Sequence, residues 1–311
     1  MAAGVRWIPL EFSGPLRQVP EAPLLFGHLA WAVALSAGKS ALDRFLEPFI
    51  AGEPPFLISS VFPACYLPRP LLPPAQDPRL RESQLRKEFK KLRWLSIDQF
   101  KSVAREGEGS LVESVAQEIA ARTSAQTAKK PEFRISAEDR VRVGISRVTG
   151  GAYPGILFEE SYLRLEGKFG FYLSAQPSYD LDFLLHNLEL TGLMGIGGKT
   201  SIGLGGFSVG KPEEVTLPAA QAANAETSLA PFLLPENPDG FYRLEPYWGR
   251  LGHHYAHSAN PFKRAYLRAA TGSTLLGQAR GGMLEVTPTP PPEPGLQIFE
   301  YGYAFPLGVR V

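Results

Sequence analysis

The residues best placed to do chemistry are Lys199, Thr200 and Ser201, in the stretch Leu193-Met-Gly-Ile-Gly-Gly-Lys-Thr-Ser-Ile-Gly-Leu-Gly-Gly-Phe207. Seven glycines fall between Gly192 and Gly206. Glycine costs backbone entropy and gives no side-chain packing, so it accumulates where the backbone needs φ > 0 or must lie close to something. A simple hairpin turn needs one or two. Successive backbone N–H groups with one ammonium and two hydroxyls are the donors that a phosphate accepts from. A Gly-rich hairpin with no ligand is the competing reading.

Nucleotide-binding loops fit less well. Gly198-Lys199-Thr200 matches the tail of G-x-x-x-x-G-K-[ST], but the required first glycine falls on Leu193. The order is also reversed, with a helix before the loop and a strand after it. The dinucleotide pattern G-x-G-x-x-G begins at Gly195 and fails at Thr200.

Other constellations are weaker. His253-His-Tyr-Ala-His257 would need Glu at position 254 to be a zinc-peptidase motif, and no acidic cluster lies nearby to complete a metal set. With Phe262, Lys263 and Arg264 it reads as a basic, aromatic patch or a solvated loop. Arg147 precedes Thr149-Gly150-Gly151, where it can pair a phosphate or brace a turn. Arg79 to Arg93 carries seven basic residues, Arg86, Lys87, Lys90 and Lys91 among them, against two acids. Such a run is most often a solvated face. No G-x-S-x-G elbow is present. Glu159-Glu160 and Glu213-Glu214 are adjacent pairs, which point to opposite faces of a strand.

The elements that must position these residues follow from pattern. The chain has 311 residues, 44% of them hydrophobic and 20% charged, enough for one large domain or two. The formal net charge of +1 gives no global field towards nucleic acid, so such binding must come from local patches. Cys65 is the one cysteine, which excludes an internal disulfide and an all-cysteine zinc site; it reads as a small buried residue in a reducing compartment. No apolar run reaches membrane length, so the chain reads as cytoplasmic with no membrane partner.

Strand 5–12 comes first, with Pro9 favouring an edge. Helices are expected at 24–37, stopped by Gly38, and at 40–49. A buried strand spans 56–62. Residues 77–135 read as a basic, partly helical insertion with a mobile tip. Strands follow at 140–146, then a pair at 155–165 and 168–175 turning at Glu166-Gly167. A helix over 181–193 is capped by Asp180 and leads into the glycine loop. This β-α-β…β-β-α-loop-β order is that of a ferredoxin-like unit with an insertion. A linker over 211–228 and short strands over 229–311 complete the chain.

The glycine stretch resembles the loop of the RAMP superfamily of CRISPR RNA-binding subunits. Leu25-Phe-Gly-His-Leu-Ala-Trp31, Ser59-Ser-Val-Phe-Pro63, Leu67-Pro-Arg-Pro70, Lys90-Lys-Leu-Arg-Trp-Leu95, Ser146-Arg-Val-Thr149 and Gly197-Gly-Lys-Thr-Ser201 occur in the order of one subfamily. Arg268-Ala-Ala-Thr-Gly-Ser273 and Tyr301-Gly-Tyr-Ala-Phe305 match it as well. That subfamily is the fourth subunit of the type III-A effector complex.

The resemblance implies an α+β protein of tandem ferredoxin-like (RRM-like) domains: 1–210 carrying the thumb-like insertion, and a degenerate 229–311. It implies a structural subunit, with no catalytic residue, cofactor or metal, that holds the 5′ handle of a crRNA. It further implies a bridge from the large polymerase-like subunit to the repeated backbone subunit. Gly197, Gly198, Gly203 and Gly205 would lie along the sugar–phosphate chain, with Lys199, Thr200, Ser201, Arg147 and His28 contacting it. Tyr153 or Phe158 would stack bases. Arg86, Lys90 and Lys91 would meet target RNA. Some relatives that process guide RNA use a histidine near His28 as general acid/base, which makes an RNA-processing endonuclease the alternative.

Overall fold

The computed structural model describes residues 4–124 and 132–311. The tip of the expected insertion, 125–131, lies outside the described residues. In chain order the elements are β1 (Val5–Phe12), α1 (Ala22–Ala37), α2 (Lys39–Ile50), β2 (Phe56–Ile58), β3 (Phe62–Pro63), β4 (Tyr66–Pro68), α3 (Ser83–Lys91), β5 (Trp94–Ser96), α4 (Ile97–Glu106), α5 (Gly109–Ser124), β6 (Arg134–Ile145), β7 (Ala152–Glu166), β8 (Phe169–Ala175) and α6 (Leu181–Met194). Then come β9 (Phe207–Val209), β10 (Glu213–Val215), β11 (Ala225–Ser228), β12 (Gly240–Phe241), β13 (Leu244–Tyr247), β14 (Tyr266–Ala269), β15 (Thr274–Leu276), β16 (Gly281–Glu285), β17 (Phe299–Tyr303) and β18 (Pro306–Val309). The mixture of helices and antiparallel strands makes this an α+β fold.

The first sheet runs β10–β1–β8–β2, with β9 also on β1 and β3 also on β8, and every pair is antiparallel. Six of the seven β8 residues are buried, which only a central strand covered on both faces explains. Helices α1 and α6 pack together, and Phe26, Leu29, Val33, Leu184 and Leu188 share one core with Ile8, Phe171 and Leu173.

Two pairings differ from the pattern-based expectation. Pro9 lies in a central strand, not at an edge. It is accommodated because the neighbour is interrupted: β9 pairs with Leu10–Phe12 and β10 with Val5–Trp7, so the missing N–H faces the break. The strand after Glu166 pairs with β1 and not with β7. Instead β6 and β7 form a long ribbon that turns at 146–151. The apolar β8 is drawn into the sheet, whereas the half-polar β7 can face water.

The expected strand 56–62 is broken at Ser59-Ser60. There Ser59 Oγ accepts the Tyr172 N–H at 2.8 Å and Ser60 Oγ accepts the Ala22 N–H at 3.3 Å, capping α1 from a distance. Cys65 is exposed, contrary to expectation, because it occupies the left-handed turn between β3 and β4 at φ 64°.

Within 77–135, helices α3 to α5 bury Leu85, Phe89, Phe100, Val103, Leu111 and Val112 in the main core. A capping box of Ser96 and Gln99 starts α4. Arg69, stacked on Phe89 at 4.2 Å, bonds Glu108 at 2.7 Å.

The stretch expected as a linker, 211–228, includes β10 of the first sheet and β11 of a second. That sheet runs β12–β15–β11–β18, again all antiparallel. Numbered along these paths, the first reads fourth–first–third–second, and the second reads the same from its β18 edge. Among the described residues no α-helix follows Met194, and the hairpins β13–β14 and β16–β17 fill the connections. From β17, Tyr301 stacks on Phe26 at 4.6 Å and accepts the Ile58 N–H at 3.2 Å, so the core is continuous across both sheets. No helix of the described residues is long and apolar enough to cross a membrane.

Candidate functional site

Helix α6 carries the chain into the glycine loop. The Asp180 carboxylate accepts the Phe183 N–H at 3.0 Å and starts the helix. At its far end Gly192 lies so close to β9 that a Cβ would sit 2.1 Å from the Phe207 carbonyl oxygen. The loop is closed at its base by the Ile196 N–H bonding Gly205 O at 2.9 Å. It is anchored to the segment after β1 by Gly205 N–H to Pro15 O at 3.1 Å and Ser13 N–H to Gly206 O at 3.0 Å.

Gly205 has φ 75°, and a Cβ there would meet Ile196 O at 2.0 Å, so no other residue fits. The outer half is different. A Cβ on Gly198 would touch only Arg17 Cγ, at an ordinary 3.7 Å, and Gly203 has nothing within 4 Å. Lys199 adopts a left-handed φ of 65° and opens a 3-10 turn over Thr200–Ile202. Gly198, Lys199, Ser201, Ile202 and Gly203 are exposed. The backbone of the outer turn and the Ser201 side chain thus face solvent beside Lys199. A groove of about 400 Å³ runs along the loop, bounded by Glu11, Ser13, Leu193, Thr200 and Ser208.

His28 sits beneath the loop. Its Nε2 accepts the Gly197 N–H at 2.9 Å, which assigns the neutral tautomer with the proton on Nδ1. Burial, then the nearby His253 and Lys263 charges, lower its pKa to about 4. His28 is therefore a neutral acceptor at pH 7 that braces the loop. Beside it Trp31 stacks on His253 at 4.5 Å, with His254 and Tyr255 close by. Residues His253–His257 form a 3-10 turn, not an α-helix, so His253 and His257 do not share an α-helical face. Among the described residues no group of three or more His, Cys, Asp or Glu side chains is arranged to hold a metal.

The residue that organises the charge is Glu160, on β7. Its carboxylate pairs with Lys199 Nζ and receives the Tyr162 hydroxyl. Arg142 Nε lies 3.0 Å away and Arg17 NH1 3.6 Å away. The Arg142 contact is ionic only, since its Nε makes no hydrogen bond at that angle. The Lys199 and Tyr162 hydrogen bonds hold the Glu160 pKa below the usual carboxylate range.

The register explains the gathering. Arg140 is opposite Glu160 and Arg142 opposite Phe158, so Arg142, Glu160 and Tyr162 share one face of the ribbon. A two-way backbone bridge between Leu16 and Leu163, at 2.8 and 2.7 Å, brings Arg17 alongside.

Arg147 is exposed at the ribbon turn, beyond Ala152. At about 3.3 Å per residue that is more than ~25 Å along the strand from Glu160, so it does not join the Lys199 cluster. Tyr153 and Phe158 are exposed on the ribbon. Arg86, Lys90 and Lys91 are exposed on α3, which packs on α5 and the 78–81 turn through Leu85 and Phe89. Arg17, Arg142 and Glu160 were not singled out from sequence. No local motif marks them, and only the ribbon register, a long-range property, brings them together.

The chain is similar to known proteins in sequence and in fold. Residues 67–208 match the model of the RAMP superfamily. The chain is 28% identical over 332 residues to the CRISPR system Cms protein Csm4 of Thermococcus onnurineus (strain NA1), covering 99% of this chain and 96% of that one. It superposes with TM-score 0.59 on a chain of the crystal structure of a Csm1-Csm4 cassette in complex with pppApA, at 22% identity, covering 99% and 98%. A chain of the Csm3-Csm4 subcomplex in the type III-A CRISPR-Cas interference complex gives 0.60 at 14% identity, covering 98% and 100%. The chain thus resembles the RAMP superfamily over residues 67–208 and Csm4 over nearly its whole length, and it shares the fold of the Csm4-containing structures.

Proposed function

We propose that this chain is a crRNA-binding structural subunit of a type III-A CRISPR effector complex, holding the 5′ handle of the guide. The observation that carries the reading is the outer half of the glycine loop. Gly198 and Gly203 have no crowding neighbour, and the exposed Lys199 and Ser201 lie between them. Gly203 serves its left-handed φ of 83°, whereas an external sugar–phosphate chain gives Gly198 a reason. Lys199, Thr200 and Ser201 bind phosphate, and splayed bases are read by neighbouring groups, with Tyr153 or Phe158 as stacking platforms. Arg147 contacts RNA from the ribbon turn, and Arg86, Lys90 and Lys91 meet target RNA.

The names of the similar structures support partners of two kinds, a large polymerase-like subunit and a repeated backbone subunit. The shared strand order of the two sheets supports tandem ferredoxin-like domains, the second degenerate, with 77–135 as the thumb-like insertion. The complex acts in the cytoplasm. His28 as the general acid/base of an endonuclease is less favoured, because its Nε2 is engaged by Gly197 and its pKa is near 4. In this reading His28 acts on RNA through the loop.

The test is to purify the chain with its natural partners and sequence the RNA that accompanies it. Short RNAs sharing one 5′ end are expected; random fragments overturn the reading. Lys199→Ala should weaken handle binding and reduce the slope of log affinity against log salt by about 0.7, the value for one single-strand phosphate. Metal-independent cleavage of repeat RNA, abolished in His28→Ala, would instead establish the endonuclease.

A further inference from the structure

We propose that Arg17 and Lys199 form one phosphate-binding site, and that Glu160, held from behind by Arg142, is its internal counter-anion, displaced from Lys199 and Arg17 when an RNA phosphate enters. The inference rests on the RNA-binding reading above and deepens it, because it names a residue that opposes binding.

Three cations surround one carboxylate, leaving a local excess of two positive charges in a chain whose net charge is only +1. The members differ in accessibility. Side chains of Lys199 and Arg17 are 37% and 46% exposed, while Glu160 is 13% exposed. The carboxylate sits behind and the two outer cations stand in front of it.

Arg17 runs beside Gly198, its Cγ 3.7 Å from where a Cβ would be, and its half-exposed guanidinium reaches Glu160 at 3.6 Å, so it spans from the loop to the carboxylate. A phosphodiester arriving along the loop meets Lys199 and Arg17 first. Its oxygens can accept from both, as a carboxylate does. Glu160 then keeps the partners on its own ribbon, the Tyr162 hydroxyl and Arg142. No bond is made or broken in this exchange, which swaps one anion for another.

Two consequences follow. In the RNA-free chain Glu160 holds the long flexible Lys199 and Arg17 side chains in the positions that a phosphate will need, which lowers the entropy lost on binding. It also competes with that phosphate, which weakens binding to any isolated strand. Removing its charge should therefore tighten binding, whereas removing a residue that merely supports the loop should loosen it.

The experiment titrates the full-length chain with fluorescently labelled single-stranded decauridylate, which presents phosphates without a handle sequence, at several salt concentrations. Glu160→Gln should bind roughly 3- to 10-fold more tightly than wild type at low salt, the scale of one partly exposed charge contact. Arg17→Ala should bind more weakly and lose about 0.7 from the salt slope. Arg17 is half exposed, so this variant tests the site even if Glu160→Gln does not fold. Equal or weaker binding by a folded Glu160→Gln, or an unchanged slope in Arg17→Ala, overturns the counter-anion role while leaving RNA binding intact. A wild-type chain that binds no decauridylate at any salt overturns the RNA-binding reading and this inference together.

Discussion

The two halves of the glycine loop use one residue type for opposite reasons. At the base, Gly192, Gly195 and Gly205 are enclosed by their own chain, with notional Cβ atoms 2.1 to 2.6 Å from carbonyl oxygens of Phe207 and Leu204, and 2.0 Å from that of Ile196. At the outer turn, Gly198 and Gly203 face solvent. The base glycines let the protein approach itself. The outer ones leave room for something else. Glycine counts cannot make this distinction, because crowding is a property of the fold.

Substitutions can break that contrast. The largest effect is expected at Gly205, where a methyl group must displace a carbonyl and adopt a left-handed φ. Gly205→Ala should cost about 3 kcal/mol or more in urea unfolding. A midpoint within error of wild type would show that the base is not closed as described.

The brace from His28 comes next. Its folded pKa of about 4 lies below the unfolded value of 6.5, so the unfolded chain binds the proton first as pH falls. Stability should therefore be fully present above pH 6.5 and decline towards pH 4, by about 2 kcal/mol between pH 7 and pH 5 from this group alone. Urea unfolding at the two pH values measures it. His28→Ala should flatten the pH dependence by that amount, and an unaltered difference would exclude His28 as the source.

Gly203→Ala should cost only about 1 kcal/mol, for its φ of 83°, since there is no clash. Smallest of all is Gly198→Ala. Gly198 does not take a positive φ and has open space, so alanine should be neutral or stabilise by up to about 0.5 kcal/mol through the unfolded chain. The same variant should weaken RNA binding severalfold, read by the decauridylate titration. Loss of stability together with unchanged binding would reverse the assignment of the outer half.

Helices and their stops were largely legible, for local reasons. Gly38 ends α1 at φ 81° and Asp180 starts α6 with its own side chain. Strand partners were less legible. Residues 155–165 and 168–175 are adjacent in sequence and were expected to pair, yet β8 pairs with β1 across more than 150 residues. An apolar strand gains more from two covered faces than from a nearby partner, and periodicity says nothing about which partner is available. Pro9 misled in the same way. Its missing N–H is a local fact, but the break in the neighbouring strand that accepts it is not.

By itself the sequence determined that a loop of seven glycines with Lys199, Thr200 and Ser201 stands between a helix and a strand. That order separated it from nucleotide-binding loops, because hydrogen-bonding capacity and backbone freedom are written in residue types. Only the tertiary structure decided which glycines are crowded, that His28 is a neutral brace, and that Glu160 draws Arg17, Arg142 and Lys199 to one point. Those facts depend on strand register and on a bridge between Leu16 and Leu163. A slip of one residue in β7 would turn Glu160 to the other face and leave Lys199 without its carboxylate.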